Sequence, residues 1–437
     1  MNMGGGEIMT KILHIIGGGE YGGAEQYLIN LAKEMRNTTY EVHLACFYDR
    51  EFAHKLRDNN IPTHVILPKG RFDFSLATNI ADLINREQYD IVHTHGVRAN
   101  LFGRLAVSRI NKERKQQRKS LLPIFTTVHS ELRQDYQNAI AYRLAYLLER
   151  TTQHLTDSFI AISNSIKDDM IRRGIPEKKI KVIYSGINFQ AEANPDTESS
   201  LNNERNVQDD VHNEQIIDDK HQGVNDTSNI SSIINLRQQF PEAPIIGMVG
   251  RLQAVKGHRH AILAMPQILR QHPQAQLVIV GDGPLLEQLQ ALVNQLQINN
   301  NVHFLGFQHP VTHILRQFDI FLMPSLSEGL GLSLIEAMAE GIPAIATRVG
   351  GMVDVITEDI RSTNQYQSEL VTGILIPPED PEAIAQAVVH LLNNPQQAKD
   401  MGERGQRDVR ERFNSKRMID EMDALYKSII QEHYTGV

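Results

Sequence analysis

The stretch Ser325-Leu-Ser-Glu328-Gly-Leu-Gly-Leu-Ser-Leu-Ile-Glu336-Ala-Met-Ala, residues 325–339, decides how this chain is read. The apolar run before it, Ile320-Phe-Leu-Met, predicts a buried strand, and the run from Leu332 onward predicts a helix. Glu328 then lies in the connecting loop and Glu336 about one turn into the helix. The amides of Gly329, Leu330, Gly331, Leu332 and Ser333 fall at the helix start, where N–H groups lack intrahelical acceptors and the dipole favours an anion. Two carboxylates flanking an anion site suit a ligand with hydroxyls at both ends and phosphate between them. A nucleotide sugar is such a ligand. A loop glutamate followed by a helix glutamate is also an ordinary solvated arrangement, so the reading needs support from elsewhere.

That support comes from Ile245-Ile-Gly-Met-Val-Gly250-Arg251-Leu-Gln-Ala-Val-Lys256-Gly-His, which predicts strand, glycine turn and two cations before a helix. The Arg251 guanidinium can fork onto phosphate oxygens, and Lys256 adds a point charge. Taken alone these are two solvated loop cations. With the glutamate segment, one half of the chain supplies cations, amides and carboxylates together.

Strand and helix alternate on both sides of a polar break, which argues for parallel α/β sheets. Strands are predicted at 11–16, 42–47, 63–66, 91–94, 124–128, 158–162 and 181–183, then at 244–249, 276–280, 302–305, 320–323, 344–346 and 373–376. Helices fall between them, for instance at 23–35, 285–296 and 381–392. The expected organisation is a loose extension over 1–9, a first Rossmann-like domain over 10–189, a second over 238–415 and a closing helix over 416–437. Residues 190–237 are polar and acidic and predict a disordered insertion at the boundary.

The chain has 437 residues, too many for one ordinary domain. Residues 190–236 carry ten Asp or Glu against two Lys or Arg, and the remainder balances at 42 of each. The net charge of −8 therefore belongs to that one segment. With no basic excess, no zinc spacing and no stacking motif, nucleic acid is not an expected partner. The single cysteine, Cys46, sits in a predicted strand and implies a buried thiol in a reducing, cytoplasmic setting. No apolar run approaches the ~18 residues that span a bilayer, and no secretory signal is visible.

These pieces resemble family 4, or group 1, retaining glycosyltransferases of the GT-B fold, two Rossmann-like domains facing a cleft with a last helix crossing back to the first domain. The resemblance rests on Gly22-Gly-Ala-Glu25, Thr127-Val-His129, Tyr184-Ser-Gly186-Ile-Asn188, Gly250-Arg-Leu with Lys256-Gly257, Gly281-Asp-Gly-Pro284, Phe304-Leu-Gly306-Phe307, the two-glutamate segment, Gly373 with Ile376-Pro-Pro and Asp380, and Met401-Gly before Phe413. It implies that Arg251 and Lys256 hold the donor diphosphate. Glu328 then grips the transferred sugar and Glu336 the ribose. Gly22, Gly23, Gly250 and the amides of Gly329, Leu330, Gly331 and Leu332 complete the donor site, with backbone near Gly306 and Phe307 at the base. His129 is placed beside the reacting centre, and His95 and Arg98 on the acceptor side. Transfer with retention, no covalent enzyme nucleophile and no metal or cofactor are further implications. The expected partners are a nucleotide sugar and a glycan, lipid-linked or small-molecule acceptor, with cell-envelope polysaccharide the expected setting.

Two other readings are open on the residues. Gly17-Gly-Gly19-Glu-Tyr-Gly22 matches the dinucleotide fingerprint, and Asp49 ends the next strand, 27 residues past Gly22 rather than the usual ~20. That reading, an NAD(P)-dependent oxidoreductase, leaves Arg251, Lys256, Glu328 and Glu336 without a role. The other is a nucleotide-sugar binding protein without catalysis, against which every motif position is filled. No His, Cys or Asp spacing predicts a metal site. The pair His93 and His95 shares one strand face and is expected to line the cleft or pack. Finally, Arg109 to Lys119 holds six cations and one acid, followed by a helical stretch with Arg133 and Arg143. It reads either as a solvated basic loop or as a peripheral contact with anionic lipid at the inner membrane face.

Overall fold

The computed structural model describes residues 9–19, 21–36, 38–70, 73–136, 138–189, 234–358 and 371–435. Apart from Met9, the expected N-terminal extension lies outside these residues, as does residue 190–233 of the expected insertion. Its last four residues are a correction. Asn235 caps a short helix, Leu236–Gln239, by accepting from the Gln238 amide, and Leu236 is fully buried. Arg237 donates to Asp319 at 2.7 Å. The polar average of the segment concealed an apolar anchor at its end.

Among the described residues thirteen strands form two wholly parallel sheets. The first runs in the order β3-β2-β1-β4-β5-β6-β7, with β1 Thr10–Ile16, β2 Tyr40–Cys46, β3 Thr63–Val65, β4 Ile91–His95, β5 Ile124–Val128, β6 Ser158–Ala161 and β7 Ile180–Val182. The second runs β10-β9-β8-β11-β12-β13, with β8 Ile245–Val249, β9 Gln276–Val280, β10 Val302–Phe304, β11 Ile320–Met323, β12 Ala344–Thr347 and β13 Ile374–Ile376. Helices cover both faces, which is why central strands such as β4 and β9 are buried at every position.

Each sheet reverses its winding once, between β1 and β4 in the first and between β8 and β11 in the second. Ligands of doubly wound sheets bind outside the carboxyl ends of the strands at such a reversal. The motifs Gly17–Gly23, His95, Arg251–Lys256 and Ser325–Leu332 all lie at those ends.

The helix Gly23–Met35 buries Tyr27, Leu28, Leu31 and Met35 on the first sheet. The last helix, Ser415–Thr435, starts beside the second half and packs on the first. Met418, Met422 and Tyr426 join the same apolar cluster as Ile12, Leu28 and Leu44. At the crossing the Ile187 amide donates to the Phe413 carbonyl at 2.9 Å, and the Ser415 amide to the Ile187 carbonyl at 3.1 Å. Among the described residues no helix is long and apolar enough to cross a membrane.

Candidate functional site

A cleft of about 890 Å³ separates the two sheets at their carboxyl ends. The first half contributes Gly23, Glu25, Tyr27 and His129; the second contributes Gln253–Lys256 and Ser327–Ser333. The halves touch at its rim. A β-carbon on Gly329 would stand 2.2 Å from the His129 carbonyl, so the close approach admits only glycine.

Glu328 is held from three sides. Its Oε1 accepts from Lys256 Nζ at 2.6 Å and from Ser325 Oγ at 2.8 Å. Its carbonyl accepts from the Gly351 amide at 3.1 Å. Gly350 makes that last contact feasible: it sits at φ +53°, and a β-carbon there would lie 1.8 Å from the Glu328 carbonyl. The Leu326 amide donates to the Val255 carbonyl at 2.7 Å, joining the loops after β8 and β11. Gly331 at φ +87° caps the helix Leu332–Ala339, whose first-turn amides face a position with positive dipole. Ser327 Oγ, on the cleft wall, is buried with no hydrogen-bond partner.

Of the residues singled out from sequence, Gly23, His129, Lys256, Glu328, Gly329, Leu330, Gly331 and Leu332 line this one cleft. Gly22 caps the helix that begins with Gly23. Gly250 and Arg251 follow β8, Glu336 lies half-buried in the helix behind the loop, and none of the three lines the cleft wall. Gly306 accepts from the Gly281 amide at 2.8 Å, and Phe307 beside it is 69% exposed, beyond the edge strand β10.

His95 and Arg98, the two residues expected on the acceptor side, both make contacts within the first half of the molecule. His95 is 1% exposed, and both of its nitrogens are engaged, Nε2 with His14 Nδ1 and Nδ1 with His129 Nε2, each at 3.0 Å. No nitrogen remains for an acceptor. Arg98 donates to the Tyr48 hydroxyl at 2.8 Å and the Gly70 carbonyl at 3.0 Å, bracing two loops. On that side lies a second cavity of about 320 Å³ behind His129, walled by the Gly17–Gly19 backbone and by His95, Asn100, Asp135, Glu149 and Arg173. Burial raises the Asp135 carboxyl pKa although Ser130 donates to it.

His14, His93 and His95 each bring a ring nitrogen within 4.8 Å of the others. Their rings are stacked, with centroids 4.6–5.2 Å apart and planes within 22–28°, so the lone pairs do not converge on one point. Both nitrogens of His93 are taken, by the Tyr426 hydroxyl and by Thr127 Oγ1, at 2.7 Å each. Together the rings form a hydrogen-bonded ladder. Burial pushes the pKa of His14 down to about 3 and that of His129 to about 4, so the imidazoles are neutral at pH 7.

Sequence reasoning missed His14, Ser327, Gly350 and the place of Tyr27 in the cleft wall. His14 alone carried a signal, as a polar residue inside the apolar run of β1. Asp49, the acid of the dinucleotide reading, accepts from Arg57 at 2.8 Å in an exposed ion pair.

Two family descriptions match the chain in complementary parts, Glycosyltransferase Family 4 over residues 21–191 and Glycosyl transferases group 1 over residues 233–408. N-acetyl-alpha-D-glucosaminyl L-malate synthase of Bacillus anthracis is 25% identical over 426 residues, covering 95% of this chain and 96% of its own. The crystal structure of Anabaena HepE in complex with UDP superposes with a TM-score of 0.73 at 21% identity, covering 96% of this chain and 100% of that one. Sucrose-phosphate synthase from Thermosynechococcus elongatus gives 0.67 at 19%, covering 97% and 100%. At these identities the structural likeness carries the fold, two Rossmann-like halves in the GT-B arrangement.

Proposed function

Since the chain belongs to the group 1 glycosyl transferases, we propose that it moves a hexosyl group from a nucleotide-diphosphate sugar to a glycan, lipid-linked or small-molecule acceptor, with retention and without a metal. The observation that carries this reading is the Lys256–Glu328 pair, 2.6 Å apart, beside the start of the helix Leu332–Ala339 and across the cleft from His129. Lys256 offsets the charge that builds on the diphosphate as it leaves, which is the work a metal ion does elsewhere, and Arg251, just past β8 and outside the cleft wall, is assigned to the same phosphates by the family resemblance. The first-turn amides add to it. Glu328 orients sugar hydroxyls, and Glu336 the ribose. His129 lies beside the anomeric carbon. Gly306 and Phe307 stand where the base would reach.

In the transfer, the acceptor oxygen forms a bond to the anomeric carbon from the face that the diphosphate leaves. The carbon–oxygen bond to the diphosphate breaks with its electron pair, and the acceptor proton passes to a leaving phosphate oxygen. No enzyme nucleophile is required. Relatives that bind UDP, and one whose name specifies a malate acceptor, favour UDP as the first donor to try and a small acid among the acceptors. The experiment is a thermal-shift panel of nucleotide diphosphates and nucleotide sugars, with and without EDTA. Stabilisation by one nucleotide that is indifferent to EDTA is expected. Stabilisation by NAD or NADP alone contradicts the reading.

We further propose a cytoplasmic setting in cell-envelope synthesis with peripheral docking on a membrane, and the exposed face of the helix Ala139–Thr152 supports the docking alone. This helix exposes Ile140 (77%), Leu144 (41%) and Leu147 (57%) along one face, with Arg133 and Arg143 nearby. Flotation with anionic vesicles at low salt is expected to carry the protein upward, and binding that is equal on neutral vesicles contradicts the electrostatic part.

A further inference from the structure

We propose that His14 and His95 are positioning residues that hold His129 in one tautomer, with its proton on Nδ1, so that this imidazole meets the ligand only as a hydrogen-bond donor. The inference rests on the placing of His129 in the transfer site.

The ladder follows from strand register. His14 of β1 pairs with His93 of β4, and His95 of β4 pairs with Thr127 of β5. Side chains two residues apart share a face, so His14, His93, His95, Thr127 and His129 lie together under the Gly23–Met35 and C-terminal helices. His14 Nδ1 meets His95 Nε2, and His95 Nδ1 meets His129 Nε2, at 3.0 Å each. His93 stacks on both His14 and His95 but takes no part in the chain, because Tyr426 and Thr127 occupy its nitrogens.

Three neutral rings joined nitrogen to nitrogen carry one proton each, and only two polarities are possible. If protons point away from the cleft, His14 Nε2 is a buried N–H. If they point toward it, His14 Nε2 is a buried lone pair. That atom is fully buried with no partner among the described residues. An orphaned buried donor is the rarer and costlier outcome, so the second polarity is favoured. His14 then donates to His95 and His95 to His129 Nε2, which leaves the His129 proton on Nδ1. With its one lone pair occupied, His129 has no site to receive the acceptor's proton. It can donate to a sugar or phosphate oxygen, and the proton must leave through the diphosphate.

The test uses full-length protein labelled with nitrogen-15 histidine and long-range proton–nitrogen correlation spectra. The expected spectrum shows a protonated Nδ1 and bare Nε2 for the ring whose signals vanish in His129→Gln. A protonated Nε2 on that ring in the wild type overturns the proposal. His14→Leu is expected to mix the His129 tautomers and lower kcat about tenfold, the loss of roughly one hydrogen bond, with KM unchanged. His14→Gln, whose amide can donate to His95, is expected to recover both. An unmixed tautomer in His14→Leu overturns the coupling. A full transfer rate in His129→Gln overturns the placing of His129 in the transfer site, and is told apart because the wild-type spectrum is then unaffected.

Discussion

Asn164, from the first half of the molecule, and Asp354, from the second, are joined by two hydrogen bonds that bridge the halves. The Asn164 amide donates to Asp354 Oδ2 at 2.6 Å and its side chain to Oδ1 at 3.2 Å. The contact is far from the Lys256–Glu328 pair in sequence, yet it holds the halves at the spacing that brings Gly329 against His129. Asp354→Ala is expected to leave each half folded and to lower kcat/KM five- to thirty-fold, about 1–2 kcal/mol of closure. Steady-state kinetics with small-angle scattering would check it. Unchanged kinetics with an unchanged envelope would mean that closure does not depend on this bridge.

Beneath the second cavity, Arg104 and Glu149 form a buried ion pair at 2.8 Å, with Arg104 also donating to Thr152 and Thr156. Removing one partner strands the other charge out of water. Glu149→Ala is expected to cost about 3–5 kcal/mol in denaturant unfolding. A loss under ~1 kcal/mol would show that water reaches the pair.

The buried histidines, those of the ladder together with His258 in the second half, make stability depend on pH. Burial lowers the pKa of His14 to about 3 and of His129 and His258 to about 4, with His93 and His95 held well below the usual value. Unfolded, each would titrate near 6.5. Between these limits the unfolded chain binds more protons, so stability is fully present above pH ~6.5 and falls as pH drops toward 4. Each neutral buried imidazole contributes on the order of 1.4 kcal/mol per pH unit in that window. His433 acts oppositely, since Asp157 raises its pKa: its contribution is present below the unfolded value and lost as pH rises through the folded one. Urea unfolding at pH 7.5, 6.0 and 5.0 should show a steep loss, and a flat profile would show that the ladder is hydrated.

Much of this was readable from the chain because parallel strands covered on both faces are near-continuous apolar runs. β9 and β11 needed nothing else, and the helix Gly23–Met35 was bounded correctly by its glycine start and its apolar spacing. The cleft residues of the second half were legible for a related reason: Lys256, Glu328 and Gly329–Leu332 sit in short loops that local sequence dictates. Contacts between distant segments were not legible. Nothing near His95 in sequence says that its two nitrogens are satisfied by His14 and His129, 81 and 34 residues away. Leu236 was lost in a polar average, although one buried leucine is enough to fix a chain end.

Retention of anomeric configuration can be tested apart from any residue. Proton NMR of the first product formed from an α-linked donor is expected to show an α linkage. A β product would require attack from the opposite face and a general base in the cleft, a role that a donor-only His129 cannot fill.

The most direct measurement is nucleotide release and sugar transfer by Lys256→Ala and Glu328→Gln, compared with nucleotide binding by the same proteins. The account predicts that both variants fold and that turnover falls about 10²–10³-fold, because electrostatic stabilisation of the leaving diphosphate and the grip on the sugar are lost. Lys256→Ala should also bind the nucleotide diphosphate more weakly. Wild-type turnover in both variants would contradict the account, and nucleotide binding without turnover in the wild type would leave a binding protein in place of a transferase.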